Sequence, residues 1–180
     1  MLAGDTLPRV VLDTNVCLDL YVFGDPRCVA LKADLDRGQV QVVTNPACRD
    51  EWLAVLGYPA LALDESTRRR ALAAFDAQAR PVVEHASAPG LSRCADPDDQ
   101  KFLELAAGAG ARWLLSRDRA LLALARRLQR DGRFVILPPQ AWAGAAVGEN
   151  RRLDVHGDHS AGGSDGSGGS GVPVSSAKPV

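Results

Sequence analysis

Several residues and patterns are scarce in this chain, and each scarcity closes off a class of function. The four cysteines, Cys17, Cys28, Cys48 and Cys94, form no C-x-x-C pair and have no histidine at metal-ligand spacing. A zinc site and a disulfide framework are therefore disfavoured, and the thiols read as small apolar fillers in a reducing compartment. Of the three histidines (His85, His156 and His159), the last two sit at the edge of a Gly/Ser-rich stretch and read as solvated. No apolar run approaches the roughly 20 residues that span a bilayer. Met1-Leu2-Ala3-Gly4-Asp5 lacks the basic region and apolar core of a signal peptide, so the chain is expected to stay in the cytoplasm. A net charge of −1 excludes a generally basic nucleic-acid binder and leaves local patches open. No repeat at a solenoid or propeller period is visible.

What remains is ordinary globular material, 46% hydrophobic and 24% charged over 180 residues, enough for one domain and a tail. The expected division is an N-terminal extension over 1–8, a domain over 9–148, and a flexible tail over 149–180. From about Val155 onward Gly, Ser, Asp and Pro dominate, and such a segment cannot bury enough surface to order itself.

Within the domain, strand and helix signals alternate. Arg9-Val10-Val11-Leu12-Asp13-Thr14-Asn15-Val16 reads as a buried parallel strand opening into a loop. Asp25-Pro26, Asn45-Pro46 and Asp96-Pro97 are N-cap and N1 pairs. They open helices to Gly38, to Leu56 before Gly57, and to about Gly108. Another helix is predicted over about Ser66 to Ala79, and Asp118 caps one through about Leu128. Further strands are predicted at Val40–Thr44, Trp113–Ser116 and Phe134–Leu137, with Val82-Val83 either a short strand or extended chain. The implied architecture is α/β, a Rossmann-like three-layer α/β/α sandwich with a mostly parallel central sheet.

In such sheets ligands bind at the C-terminal ends of strands. Asp13 and Asp118 both fall there; taken alone, Asp13 reads equally as a turn or helix-capping aspartate, and Asp118 also fits as an N-cap. Glu51 has Ala47, Cys48, Ala54 and Val55 at its i±3 and i±4 positions, which puts a carboxylate on the inward face of a helix; the plainer alternative is a pair with an arginine such as Arg49. Among the acids opening the fourth helix, Asp96 is the natural cap. Asp99 has Phe102, Leu103 and Ala106 at i+3, i+4 and i+7 and is the preferred site residue. Asp98, with Lys101 at i+3, faces outward more and comes next. Gathered carboxylates need a compensating cation, and an all-oxygen set suits Mg²⁺ or Mn²⁺. The implied chemistry is metal-assisted attack of water on a phosphodiester.

These residues resemble the PIN-domain family of metal-dependent ribonucleases, in particular its bacterial group of toxin components of toxin–antitoxin pairs (VapC-like ribonucleases). The matching pieces are 11–16 (Val-Leu-Asp-Thr-Asn-Val), Asn45-Pro46 through Glu51 to Leu56, Asp96-Pro97-Asp98-Asp99 through Ala106, and Ser116-Arg117-Asp118 through Leu122, which together extend over about residues 9 to 143. The resemblance implies that Asp13, Glu51, Asp99 and Asp118 are catalytic metal-binding acids, with Asn15 and Ser116 orienting carboxylates or water behind them. It implies an RNA substrate, a cognate antitoxin protein and a possible homodimer.

Residues 112–133 hold seven arginines, Arg117 and Arg119 among them. That stretch is either a phosphate-holding strip or a solvated helix face. Trp52, Tyr58 and Trp113 can stack bases, although core packing suits Trp113 better, and Arg68-Arg69-Arg70 reads as solvated surface. A haloacid-dehalogenase-type phosphatase would need an aspartate where Asn15 stands, and a dinucleotide-binding fold would need glycines after the first strand. The rival from another class is a PIN-like RNA- or protein-binding module with a structural ion and little turnover.

Overall fold

The computed structural model describes residues 7–83, 89–143 and 145. Most of the expected N-terminal extension, the expected tail and all three histidines lie outside the described residues.

Among the described residues five strands form one sheet in the order β3-β2-β1-β4-β5: β1 (Arg9–Leu12), β2 (Gln41–Thr44), β3 (Ala79–Pro81), β4 (Trp113–Leu115) and β5 (Val135–Leu137). Every pairing is parallel, as the alternation of strands and helices requires. Because side chains alternate along a strand, the sheet buries two different sets. Val10, Leu12, Val42, Trp113, Leu115 and Leu137 belong to one core. Val11, Val43, Leu114 and Ile136 belong to the other. Both faces are covered, and the three-layer α/β/α architecture follows. Leu114 is fully buried on β4; Leu114→Ala is expected to cost about 2–5 kcal/mol, read as a lower urea midpoint with unchanged slope.

The helices are α1 (Thr14–Cys17), α2 (Val29–Asp36), α3 (Pro46–Leu56), α4 (Glu65–Gln78), α5 (Gln100–Gly108), α6 (Arg119–Leu122) and α7 (Ala125–Arg130). Asn45 caps α3 by accepting from the Cys48 N–H at 2.9 Å, and Asp64 caps α4 by accepting from Thr67 at 2.6 Å. Among the described residues no helix is long and apolar enough to cross a membrane.

Four local expectations are corrected. The chain after β1 is helical at once, α1 continuing as a π-helix over Leu18–Phe23 that ends at Gly24 with φ of +60°; a nearly continuous apolar run conceals helical periodicity. The edge strand is Ala79–Pro81 rather than Val82-Val83, because α4 runs into it without a loop, and Pro81 is tolerated at an edge. Pro26–Cys28 and Pro97–Asp99 are 3₁₀ turns preceding α2 and α5. The helix after Asp118 is two short pieces, α6 and α7.

Candidate functional site

The sheet register builds the site. Leu12 of β1 pairs with Leu115 of β4, so the next residues, Asp13 and Ser116, leave adjacent strand ends side by side. The Ser116 hydroxyl donates to Asp13 Oδ2 at 2.5 Å, and the Asn15 side-chain amide donates to the same oxygen at 2.5 Å. Ser116 Oγ in turn accepts from the Asp118 N–H at 2.8 Å. Asp118 itself caps α6, Oδ1 accepting from Ala120 at 2.6 Å, so its capping role is realised. Asn15 Oδ1 accepts from the Arg117 N–H at 3.0 Å, closing a ring of contacts across the two strand ends.

Asp13 is 4% exposed. Burial raises its pKa even against the hydrogen bonds from Ser116 and Asn15, and the charge of Glu51 adds to the rise. Glu51, on α3, is held from two sides: Thr14 Oγ1 donates to Oε1 at 2.6 Å, and the Lys101 ammonium pairs with Oε2. The expected alternative, an ion pair with Arg49, does not form, because Arg49 binds Asp76 instead at 2.7 and 2.9 Å. Lys101 therefore does more than mark an outward face. Burial pulls its pKa down, and the hydrogen bond and charge of Glu51 outweigh that, leaving it raised and firmly cationic.

Asp99, at the end of the turn before α5, is the acid that senses the others. Its pKa is pushed up to about 6, first by burial and then by the charges of Asp13, Asp118, Asp96 and Glu51. Asp96 acts as the cap, Oδ1 accepting from the Asp98 N–H at 2.9 Å. Asp98 is exposed, and its backbone carbonyl accepts from Lys101. Among the described residues no three His, Cys, Asp or Glu side chains stand close enough together to share one ion. Asp13 and Glu51 are instead engaged by hydroxyl, amide and ammonium donors.

Sequence reasoning missed Thr14, Lys101 and Asp19. Asp19 is 2% exposed inside the π-helical run, bound to Arg117 through Nε–Oδ2 at 2.7 Å and Nη2–Oδ1 at 3.1 Å. Its i−3 and i+3 neighbours are Val16 and Val22 and i+4 is Phe23, the same apolar surround that drew notice to Glu51.

The arginine-rich stretch divides. Arg112 lies over the Trp113 ring at 5.1 Å, Arg133 donates to the Pro89 carbonyl at 2.7 Å, and Arg117 is taken by Asp19. Arg119 and Arg126 are exposed. Of the three candidate base-stacking aromatics, Trp52 is core instead, and Trp113 is core as its preferred reading had it. Trp52 is buried against Tyr21 and Phe75 at centroid distances of 6.3 and 6.0 Å. Trp113 packs on Trp142 at 4.9 Å. Tyr58 alone of the three stays exposed, at 52%.

Among solved structures, the chain is similar to a crystal structure of VapBC2 from Rickettsia felis bound to a DNA fragment from their promoter, with 12% identity over 72% of this chain and 98% of that one and a TM-score of 0.49. It is also similar to the PIN domain of RRP44 from T. brucei, with 14% identity over 84% of this chain and 88% of that one and a TM-score of 0.40. No curated protein matches it in sequence. The family model of the PIN domain matches residues 9–120, the span that runs from β1 and Asp13 through Glu51 and Asp99 to Asp118, and on that match the chain belongs to the PIN-domain family.

Proposed function

We propose that this nuclease-type PIN domain is a metal-dependent endoribonuclease that hydrolyses RNA phosphodiester bonds, and that it serves as the toxin of a toxin–antitoxin pair. The observation that carries the reading is the meeting of Asp13, Ser116 and Asp118 at the adjoining ends of β1 and β4, with Asp99 near enough that its carboxyl is pushed up to about 6, by burial first and then by the charges of four acids. A fold does not accumulate that much like charge without a use for a cation. The donor set is all oxygen, which fits Mg²⁺ or Mn²⁺. Asp13, Glu51, Asp99 and Asp118 are the side chains that would hold the ion; no three of them stand close enough to share one as they are placed, so they would have to draw together around it. The ion when bound would supply Lewis acidity to the attacking water and to the phosphate.

The protein's own groups prepare this. Ser116 and Asn15 fix the orientation of Asp13, and Thr14 fixes Glu51, so that few rotamers remain to be frozen when a cation or substrate arrives. Lys101 neutralises Glu51 and must yield that oxygen to an incoming ion. That same pair is the observation favouring the second reading, a PIN-like binding module with little turnover, in which the internal ammonium takes the place of a catalytic cation. The antitoxin partner and a homodimer rest on the family resemblance and are proposed with it.

The two readings separate in one assay. Labelled RNA incubated with the full chain should be cleaved in Mg²⁺ or Mn²⁺ and stay intact once EDTA is added. RNA retained without cleavage under every metal condition would replace the nuclease by the binding module.

A further inference from the structure

The buried carboxylate of Asp19 has no place in the acidic site, and its partner sits at that site's rim. Arg117 lies between Ser116 and Asp118 in the chain, and its N–H is tied to Asn15 at 3.0 Å. Its guanidinium is gripped along one edge by both oxygens of Asp19, at 2.7 and 3.1 Å. The two side chains are buried very unequally, 4% exposed for Asp19 and 37% for Arg117. A pair serving stability alone gains nothing from placing its cation in solvent, where screening weakens the contact. A buried acid beneath an exposed guanidinium instead fixes the direction of a cation that has other work. Asp19 Oδ1 accepts one Nη2–H, and Oδ2 holds Nε by charge at 2.7 Å without accepting a hydrogen bond. Among the described residues the three remaining N–H groups have no acceptor. The second cation near Asp19, Arg27, is committed elsewhere: it stands 3.7 Å from Asp19 and is held at 2.7 and 2.9 Å by Asp25.

We propose that Arg117, clamped from below by Asp19, is the phosphate-holding residue of this site and takes a backbone phosphate of single-stranded RNA next to the bond that is cut. The inference rests on the ribonuclease reading for its substrate. The planar fork of a guanidinium suits a phosphate, and prior clamping removes much of the entropy cost of ordering it. Asp19 is then a positioning residue that acts through Arg117.

The test measures the Kd of the full chain for a fluorescein-labelled single-stranded RNA by anisotropy in EDTA, KM and kcat for its cleavage in Mn²⁺, and melting temperature. The variants are Asp19→Asn, Arg117→Gln, Arg117→Lys, Asp19→Asn with Arg117→Gln, and Arg27→Gln as a control. Arg117→Gln is expected to raise Kd and KM about tenfold, to flatten the slope of log Kd against log salt by about 0.7, and to leave kcat within about threefold. Arg117→Lys keeps the salt slope and loses affinity. Asp19→Asn weakens binding several-fold, and the double variant binds no worse than Arg117→Gln. The double variant removes both charges together, so it decides the matter even if a single change strands a buried charge and unfolds the protein. Arg27→Gln leaves Kd unchanged. An unchanged Kd and salt slope in folded Arg117→Gln, or tighter RNA binding by Asp19→Asn, would overturn the clamp while metal-dependent cleavage by the wild type stood. A wild type that neither binds nor cleaves RNA would overturn the ribonuclease reading beneath it.

Discussion

Replacing Asp13 by asparagine is expected to lower metal-dependent RNA cleavage about a thousandfold, about 4 kcal/mol of barrier, and to leave the melting temperature unchanged or higher. The two halves follow from the same environment. Asp13 is buried at the end of β1, and its pKa is raised by that burial despite donors from Ser116 and Asn15, so the folded protein bears a cost for holding its charge. Asparagine preserves shape and can still accept the Ser116 hydroxyl while removing the charge, which relieves that cost. What it cannot do is serve as an anionic oxygen ligand, and the proposed chemistry depends on one. A gel assay of labelled RNA beside a thermal melt reads both effects. Retention of a tenth or more of the wild-type rate would take Asp13 out of the reaction. A lost melting transition would show that the fault lies in folding.

The parts of this molecule that were legible in the sequence are those fixed by local chemistry. Apolar runs ending in Asp13 and Ser116, and the Asn45-Pro46 cap, place strands and helices without reference to the rest of the chain. An acid such as Glu51 with apolar neighbours at helical spacing announces an inward face. The contacts across the site were not legible, because they depend on which distant side chain arrives. Lys101, four residues from Leu105 on the fifth helix, reaches Glu51 on the third. Arg49, two residues from Glu51, turns away to Asp76. Sequence proximity favours Arg49, and packing of α3 against α5 decides for Lys101. Asp19 shows a different limit: Val16, Val22 and Phe23 stand at helical spacing from it, but the sequence there reads as a loop after the first strand, where that spacing has no meaning, and only the fold shows the segment to be helical. Trp52 and Tyr58 make the same point for aromatics, since composition cannot tell a buried ring from an exposed one six residues away.

The Asp99 carboxyl gives the site a pH dependence whose sign is fixed. Its folded pKa of about 6 lies above its unassisted value of 3.8, chiefly through burial and then through the charges of Asp13 and Asp118. The folded protein thus holds this proton more tightly than the unfolded chain. Its contribution to metal-free stability is present below about pH 4 and is lost as pH rises towards 6. A divalent cation binds the ionised form. Between pH 5 and pH 7 the ionised share of such a group climbs from about one tenth to about nine tenths, so apparent Mn²⁺ affinity is expected to rise about tenfold over that interval. Asp25, held near 2 by its hydrogen bond to Arg27, and Asp64, held low by the Thr67 N–H, tilt the whole-protein curve the opposite way. The informative quantity is therefore the difference between wild type and Asp99→Asn. In EDTA the wild type should lose melting temperature relative to the variant as pH rises from 4 to 7. In Mn²⁺ it should recover that loss at pH 7, whereas Asp99→Asn should respond weakly to the metal at every pH. Parallel melting curves for the two proteins, shifted equally by Mn²⁺, would place Asp99 outside the charged cluster and make Asp98 the acid to test in its stead.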